Sequence, residues 1–441
     1  MEGGITKTYD NWWDTLSPLR HVLYGIFFFF MPFTQAFTFD VGFPLKLSEL
    51  ALFLLAFLLL VFKRKAYLPR PIILILSALF FVITISVAVN LFYSYPYTLK
   101  VYDSRFGYNG DSIARYIYFI LALMSFFVSL NIFLERNGYY MRYWLLGAII
   151  AASYSWYLSI FSALKLPVFL LPGMKDPPQM IMGSIIRSGT FLEGNMMGLF
   201  LLVSAGMAFY CKRKYIAIFL LISVFTSFST LSIVGIFLFI SIYLLRWFLH
   251  PRYFSYLFLL AIVSIPFLFA FSTTEIYKVY IYDKLFANKE LTSSKAIANE
   301  AVYSKADRLV LLKTASYTAA DNPLLGVGLS NFALHYDHYL EGIHMDKTLR
   351  KSLSRVNQKP IPNNIYAEIG AESGLLALVL FLLFLGYILY YSNFDKTMAL
   401  PALMVCLFLC FNAYPSFILI YLWSFMALPV SNYIKFRMKN L

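Results

Sequence analysis

The sequence is a succession of long apolar runs, each separated from the next by a short polar or basic stretch. A bilayer-crossing helix needs about twenty mostly apolar residues, because its backbone polar groups find no water there. Charged residues make up only 13% of the chain and hydrophobic residues 60%, whereas a soluble domain carries about twice that charge. The chain is therefore predicted to be an all-α polytopic membrane protein, a helical bundle with about twelve transmembrane helices.

Length and hydropathy place the candidate spans along the chain. They are predicted at residues 21–39, 47–62, 71–92, 112–134, 143–164, 194–211, 215–229, 231–249, 253–272, 366–391, 397–412 and 414–434. The apolar block 215–250 is too long for one helix, so we divide it at the polar run 227–232. The predicted organisation has nine helices in residues 1–272, a large extracytoplasmic helical loop in 273–365, and three helices with a cytoplasmic tail in 366–441.

The basic residues predict an orientation, because lysine and arginine concentrate in short cytoplasmic loops. Alternate loops carry the basic clusters, which are 63–65 with Arg70, Arg136 with Arg142, 212–214, Arg246 with Arg252, and the tail residues 435–439. Both termini are then cytoplasmic, and the two long polar loops, 165–193 and 273–365, lie on the outer side. This arrangement accounts for the net charge of +14 through contact with anionic membrane lipids. Nucleic acid is not an expected partner.

Two motifs stand in the outer loops. The first is the run 187–191, Arg-Ser-Gly-Thr-Phe, followed by Asn195. The second consists of Arg308, the stretch 321–328 (Asp-Asn-Pro-Leu-Leu-Gly-Val-Gly) and Asn331. The stretch 321–332 predicts a helix stop and a glycine-hinged loop, and by itself it is also compatible with a plain turn. No Lys-Ser/Thr pair follows its glycines, so it is not a phosphate-binding loop of the nucleotide-binding type.

Together with two further segments, these motifs resemble the O-antigen ligase and polymerase superfamily. The further segments are 40–49, a turn before the second helix, and 362–366 with 372–374 (Pro-Asn-Asn-Ile-Tyr and Glu-Ser-Gly). The spacing of Arg187 and Gly198 is similar to that described for Wzy-type polymerases. Two positions depart from the family: Asn363 replaces a histidine on which the ligase subfamily is thought to rely, and 230–233 lacks the family's Ser-Arg pair.

The resemblance implies a metal-independent glycosyltransferase of the bacterial inner membrane that uses no cofactor. Its donor and acceptor would be undecaprenyl-diphosphate-linked glycans, polymerised into O-antigen, capsule or exopolysaccharide, with a chain-length regulator and a flippase as candidate partners. The replaced histidine favours this polymerase over an O-antigen ligase that transfers the glycan to lipid A core. A transporter or flippase is the alternative of another class. It would place ionisable residues at mid-membrane and show internal repeats, neither of which the sequence offers.

The resemblance also selects candidate site residues. Arg187 and Arg308 would hold the leaving diphosphate, because guanidinium groups bind phosphate oxygens in a bidentate fork and stay charged. The general base is open among Glu193, Glu368, Glu372 and the loop histidines. Glu193 is equally compatible with an ion pair to Arg187. The predicted catalytic residues are Arg187, Arg308, Glu193 and Asn363; the predicted substrate-binding residues are Asn195, Asn331, Asn364, Arg355, His338 and Glu372. No Asp-x-Asp pair or cysteine framework predicts a metal site.

Overall fold

The computed structural model describes residues 17–40, 44–61, 68–92, 107–174, 178–181, 183–248, 291–293, 297, 300–354, 359–394, 398–414 and 416–440. The predicted ninth span, 253–272, and the candidate residue Arg355 lie outside these ranges.

The described residues form a bundle of helices with two short hairpins. The helices are α1 (Ser17–Phe30), α2 (Leu47–Val61), α3 (Arg70–Leu91), α4 (Gly107–Ala163), α5 (Gly194–Tyr210), α6 (Lys214–Ser223), α7 (Thr230–Phe248), α8 (Glu300–Asp321), α9 (Phe332–Glu341), α10 (Lys347–Leu353), α11 (Ile365–Ser392), α12 (Ala399–Cys410) and α13 (Ile420–Lys439). Two 3₁₀ turns, Val224–Ser227 and Phe411–Ala413, follow α6 and α12. The antiparallel hairpins pair β1 (Thr38–Asp40) with β2 (Pro44–Lys46), and β3 (Met180–Ile181) with β4 (Ile185–Ile186).

Four of the described segments are long and apolar enough to cross a membrane: Arg70–Leu91, Gly107–Glu135, Tyr139–Ala163 and Ile365–Ser392. Shorter apolar helices accompany them at Leu47–Val61, Gly194–Tyr210, Lys214–Ser227, Thr230–Leu244 and Ala399–Ala413. Large apolar side chains face outward, such as Leu60, Leu74 and Phe81, as expected of a bundle surrounded by lipid. The structure thus supports a helical membrane protein, and the number of twelve crossings stays a prediction.

Two predicted spans are wrong at one end. The first, 21–39, ends at Phe30, because Pro32 follows and residues Thr38–Asp40 pair in the first hairpin. The last, 414–434, begins only at Ile420, after the 3₁₀ turn and after Pro415 in the sequence. The division of 215–250 is confirmed, since α6 and its 3₁₀ turn end at Ser227 and α7 begins at Thr230.

The predicted spans 112–134 and 143–164 lie in α4, a continuous helical run of 57 residues. A straight helix of that length would extend about 85 Å, beyond any bilayer. The run is not one rod, however, because the ring of Phe28 on α1 lies 5.6 Å from the ring of Phe133 and 5.7 Å from that of Trp144. Both halves of α4 therefore pack beside the same helix.

The described part of the predicted outer loop has a core of its own. Leu311 on α8, Phe332 and Tyr336 on α9, and Leu349 on α10 are buried together, and Ala371 of α11 belongs to the same cluster. Helix α8 packs along α11, so this unit rests on the bundle. The prediction that this loop is ordered is confirmed for residues 300–354.

Candidate active site

A cavity of about 330 Å³ opens where α5 and α7 begin and where α8 passes over them. Its lining residues are Arg187, Asn195, Thr230, Leu231, Val234, Ser304, Lys305, Arg308 and Ala413. Three of these side chains are cationic, and no carboxylate occurs among the lining residues that the structure describes. The structure therefore brings together the two predicted arginines, which are more than a hundred residues apart in sequence, and one predicted substrate-binding residue, Asn195.

Arg187 is fixed by the loop that leads into α5. The residue follows β4, and its backbone N–H donates to the carbonyl of Gln179 at 3.0 Å. The side-chain oxygen of Gln179 accepts from the N–H of Gly194, the first residue of α5, at 2.8 Å. Thr190 anchors the same loop to the end of α1 by donating to the carbonyl of Pro32 at 2.7 Å. These bonds place Arg187 beside the start of α5, where Asn195 also lies.

Arg308 and Lys305 stand one turn apart on α8, so their side chains share a helix face. Desolvation by burial lowers the pKa of the Arg308 guanidinium, and the charges of Glu193 and Asp307 oppose that shift. A guanidinium stays protonated through such a shift, so Arg308 remains a cation in a site of low polarity. Lys305 was not among the predicted site residues, although its spacing of three residues from Arg308 would place both side chains on one face of a helix.

The start of α7 closes the cavity against α5. A Cβ at Gly198 would lie 2.4 Å from Oγ of Ser232 and 2.6 Å from Oγ of Ser227, so only glycine permits this packing. Gly198, which the polymerase-type spacing singled out, therefore has a packing role here. Thr230, Leu231 and Val234 form the α7 wall, which carries no cation at the position where the family has its Ser-Arg pair.

Glu193 immediately precedes α5 and is half-buried. Its charge acts on Arg308, across the cavity end of α5, so the carboxylate belongs to the surroundings of the cation-lined cavity. Glu193 does not cap α5 with its side chain. The carboxylate therefore has no capping role that would explain its place beside the cavity.

Other predicted residues gather at the start of α11. Asn364 caps that helix, since its Oδ1 accepts from the N–H of Ala367 at 3.0 Å, and its Nδ2 donates to the carbonyl of Asn412 at 3.0 Å. Asn363, half-buried, directly precedes this cap. Glu372 is buried two turns further on, with Oε2 3.7 Å from Nε of Arg115 on α4. None of these three is among the described lining residues of the cavity.

The glycine-hinged loop after α8 packs against the same helix. The N–H of Val327 donates to the carbonyl of Ala371 at 3.0 Å, and that of Gly328 to the carbonyl of Glu372 at 2.8 Å. The predicted substrate-binding residue Asn331 is buried in this loop, and its Nδ2 donates to the carbonyl of Val327 at 3.0 Å. Two motifs that are distant in sequence thus contact each other, and the predicted helix stop at Asp321 is confirmed.

His338 lies away from both groups of residues. Its side chain is exposed, and its ring meets that of Tyr339 edge-on at 5.0 Å. Tyr339 in turn donates to Oδ2 of Asp321 at 2.6 Å, next to the end of α8. The structure places His338 on the surface of the outer unit, and it is not among the described lining residues of the cavity.

A neighbouring histidine predicts how the outer unit responds to acid. Burial lowers the pKa of His335 from 6.5 to about 4, with a smaller contribution from His338. As pH falls, His335 binds a proton near pH 6.5 in the unfolded chain and only near pH 4 in the folded chain. The unit should therefore lose stability as pH falls through this window. Thermal unfolding of wild type and His335→Leu between pH 7 and 4 checks this. The variant should show a weaker dependence on pH, and equal slopes would contradict the assignment.

A charged cluster, partly withdrawn from solvent, was not predicted from the sequence either. Arg115 on α4 forms an ion pair with Glu368 of α11, and Nζ of Lys359 lies 3.0 Å from Oδ2 of Asp111. The signal for Arg115 was a cation inside a predicted span, which is costly unless it meets a partner in the protein.

Part of the sequence that forms this site matches a known family. No curated protein matches this chain. Residues 215–382 match the model of the O-antigen ligase family, a stretch that contains Lys305, Arg308, the glycine-hinged loop and Glu372, whereas Arg187 precedes it. This O-antigen ligase domain at residues 215–382 confirms the resemblance of the chain to the O-antigen ligase and polymerase superfamily.

Proposed function

We propose that this protein is a membrane glycosyltransferase that polymerises oligosaccharide repeat units linked to undecaprenyl diphosphate. The observation that carries the proposal is the convergence of Arg187, Lys305 and Arg308 on one cavity. A diphosphate is the group for which three converging cations are best suited, because each can donate hydrogen bonds to its oxygens while neutralising its charge.

The remaining lining fits a donor that is half sugar and half lipid. Asn195, Thr230 and Ser304 offer hydrogen bonds of the kind that orient sugar hydroxyls. Leu231 and Val234 offer an apolar wall suited to a lipid chain, and Val234 is 39% exposed. A volume of about 330 Å³ lies at the lower end of the usual range for ligand pockets.

In the proposed reaction, a hydroxyl oxygen of the acceptor attacks the anomeric carbon of the donor sugar. The bond from that carbon to the diphosphate oxygen breaks, and the lipid diphosphate leaves with its charge held by the three cations. The proton of the acceptor hydroxyl passes to a base. Glu193 is the proposed base because its carboxylate, although not among the described lining residues, interacts electrostatically with the cavity residue Arg308. The amide of Asn363 cannot take this role, since it accepts no proton at neutral pH.

Asn363 supports the polymerase over the ligase, as it stands where the ligase subfamily has its histidine. The distribution of charge supports an outward-facing cavity. Lys212–Lys214 joins the far ends of α5 and α6, and Lys435, Arg437 and Lys439 lie at the far end of α13. The positive-inside rule then puts these residues in the cytoplasm and the cavity on the other side of the inner membrane.

A reconstituted assay tests the proposal. Purified protein receives a lipid-diphosphate-linked repeat unit from the host, and the products are separated by gel electrophoresis. Wild type should yield a ladder of lengthening glycans, and Arg187→Ala should reduce the rate by about 10²-fold, as for loss of one electrostatic donor. Arg437→Ala is the matched control, because this arginine is exposed at the far end of α13.

The products separate the alternatives. A single transfer that requires added lipid A core would identify a ligase and overturn the polymerase. If the glycan is transferred to neither acceptor, the remaining alternative is a transporter, which a flux assay in vesicles would test. Equal losses in Arg187→Ala and Arg437→Ala would contradict a specific role for the cavity.

A further inference from the structure

We propose that Arg115 is a positioning residue for the cation-lined cavity, acting through Glu368 and Glu372 on two of its walls. The inference rests on the proposed function, since it assigns Arg115 a role in the same reaction. Arg115 lies on α4, outside the two arginine motifs of the sequence. Its side chain contacts Glu368 and Glu372 on one face of α11, and this face is bonded to both walls.

That face begins with a row of polar residues on α11. Asn364, Glu368 and Glu372 follow at intervals of four, so their side chains lie one above the other. All three are buried, and Glu368 is fully inaccessible to solvent. A buried row of this kind must find its partners inside the protein.

The first wall is held by the first two members of the row. Between α12 and α13, the described residues 411–414 and 416–419 form a connection that includes the lining residue Ala413. Asn364 donates to the carbonyl of Asn412 at 3.0 Å, and Oε2 of Glu368 accepts from the N–H of Phe417 at 3.2 Å. Ala413 is thus bracketed by two bonds from α11.

The second wall is held by the backbone around Glu372. Its carbonyl accepts from the N–H of Gly328 at 2.8 Å, and the N–H of Leu375 donates to the carbonyl of Pro323 at 2.7 Å. The loop fixed in this way directly follows α8, the helix that carries Lys305 and Arg308. The position of α11 relative to its neighbours therefore sets the position of two of the three cations.

Arg115 provides the positive charge that stabilises the two buried carboxylates of this row. It forms an ion pair with Glu368, its Nε lies 3.7 Å from Oε2 of Glu372, and its Nη2 lies 3.5 Å from Oγ of Ser416 in the connection. A buried carboxylate without its cation is strongly destabilising. Loss of Arg115 would thus leave Glu368 charged and unpaired, and the carboxylate would turn away from Phe417 towards water.

The chain offers a matched control at the other end of the first half of α4. Arg20 on α1 lies 3.6 Å from Glu135, so this pair also joins two helices and is also largely withdrawn from solvent on the arginine side. It belongs to the end of the bundle away from the cavity, beside the ring of Tyr140 that His21 contacts. Arg20→Ala should therefore reproduce the loss of a helix-joining ion pair without moving the cavity walls.

The test measures kcat, KM for the lipid-diphosphate donor and thermal midpoint in Arg115→Ala, Arg115→Lys, Glu368→Gln and Arg20→Ala. Arg115→Ala should lower kcat of the folded protein by about 10- to 100-fold, the effect of displacing groups by about 1 Å, with a smaller change in KM because the cations remain. Adding Glu368→Gln to Arg115→Ala should restore part of kcat, since the double variant leaves only one of the two carboxylates, Glu372, buried without Arg115. Arg20→Ala should lower only the thermal midpoint.

Each of these results supports or contradicts the positioning role of Arg115. If Arg115→Ala does not fold, Glu368→Ala carries the test in the same assay, because it removes the bond to Phe417 and leaves no carboxylate at that position, and an unchanged kcat would overturn the proposal. A kcat for Arg115→Ala within about threefold of wild type, or losses equal to those of Arg20→Ala, would overturn it too. Such results beside the expected loss of about 10²-fold in Arg187→Ala leave the proposed function standing, whereas a wild-type rate in Arg187→Ala would contradict that function itself.

Discussion

Replacement of Arg308 by alanine is expected to lower the rate of glycan transfer by about 10²- to 10³-fold, the cost of one preorganised donor at a developing charge. Arg308 is half-buried in the wall of the cavity, and its guanidinium is partly desolvated there. Initial rates at saturating donor, normalised to correctly folded protein, check this. An effect below about tenfold would mean that the guanidinium does not contact the leaving group.

Arg308→Lys adds a dependence on pH that distinguishes a buried cation from a surface one. Desolvation, the cause that lowers the pKa of Arg308, would act equally on a lysine ammonium, whose ordinary pKa is about 10.4. The ammonium loses its proton as pH rises through its lowered pKa, and the charge at the diphosphate is lost with it. The rate of Arg308→Lys should therefore begin to fall at a pH below the ordinary lysine pKa of about 10.4, whereas the guanidinium of the wild type stays protonated there.

The matched control for this experiment is Lys313→Arg, a conservative exchange on the same helix outside the cavity lining. Its rate should follow wild type at every pH. A parallel decline in both variants would assign the effect to α8 as a whole and contradict the specific role of Arg308.

Most of the helices could be predicted from the sequence, because a lipid-facing helix must be apolar over its whole length whatever its neighbours are. The prediction failed where a local signal competed with hydropathy. Residues 31–39 are apolar enough to extend the first span, yet Pro32 and the pairing of Thr38 with Lys46 end the helix at Phe30. The spans 112–134 and 143–164 were predicted as separate helices, whereas the structure joins them in one helical run, because hydropathy does not show whether the polar residues between two spans leave the helix.

The candidate site shows the same division. Arg187, Asn195 and Arg308 were found because their motifs resemble a family, and the structure brings them to one cavity. Lys305 and Arg115 lie in no such motif, and their roles depend on tertiary contacts with residues on other helices. Asn331 and Asn364 show the reverse. They lie in motifs, yet their side-chain amides donate to backbone carbonyls of the fold. Motif membership therefore indicates a place near the site without fixing whether a residue serves substrate or scaffold.

Gly326→Ala should strongly lower both the free energy of unfolding and the transfer activity. This variant tests how far the fold depends on the glycine-hinged loop. Gly326 has φ +62°, a left-handed conformation that costs an L-residue about 1–2 kcal/mol. A Cβ there would also lie 2.5 Å from the carbonyl carbon of Glu372 and 2.6 Å from the carbonyl oxygen of Ala371, both backbone atoms of α11. The loop must then move off the helix and release the bonds that Val327 and Gly328 donate to it.

The expected loss exceeds about 3 kcal/mol, because left-handed strain, a backbone clash and broken buried hydrogen bonds act together. Gly386→Ala in α11 is the control, since a Cβ there meets no atom within 4 Å and alanine favours a helix. Heat inactivation and transfer rate of both variants are compared with wild type in the same lipid. Gly326→Ala should be inactive or should inactivate at much lower temperature, whereas Gly386→Ala matches wild type. An active, equally heat-resistant Gly326→Ala would show that the loop can leave α11 without displacing Arg308, and the link between this motif and the cavity would be wrong.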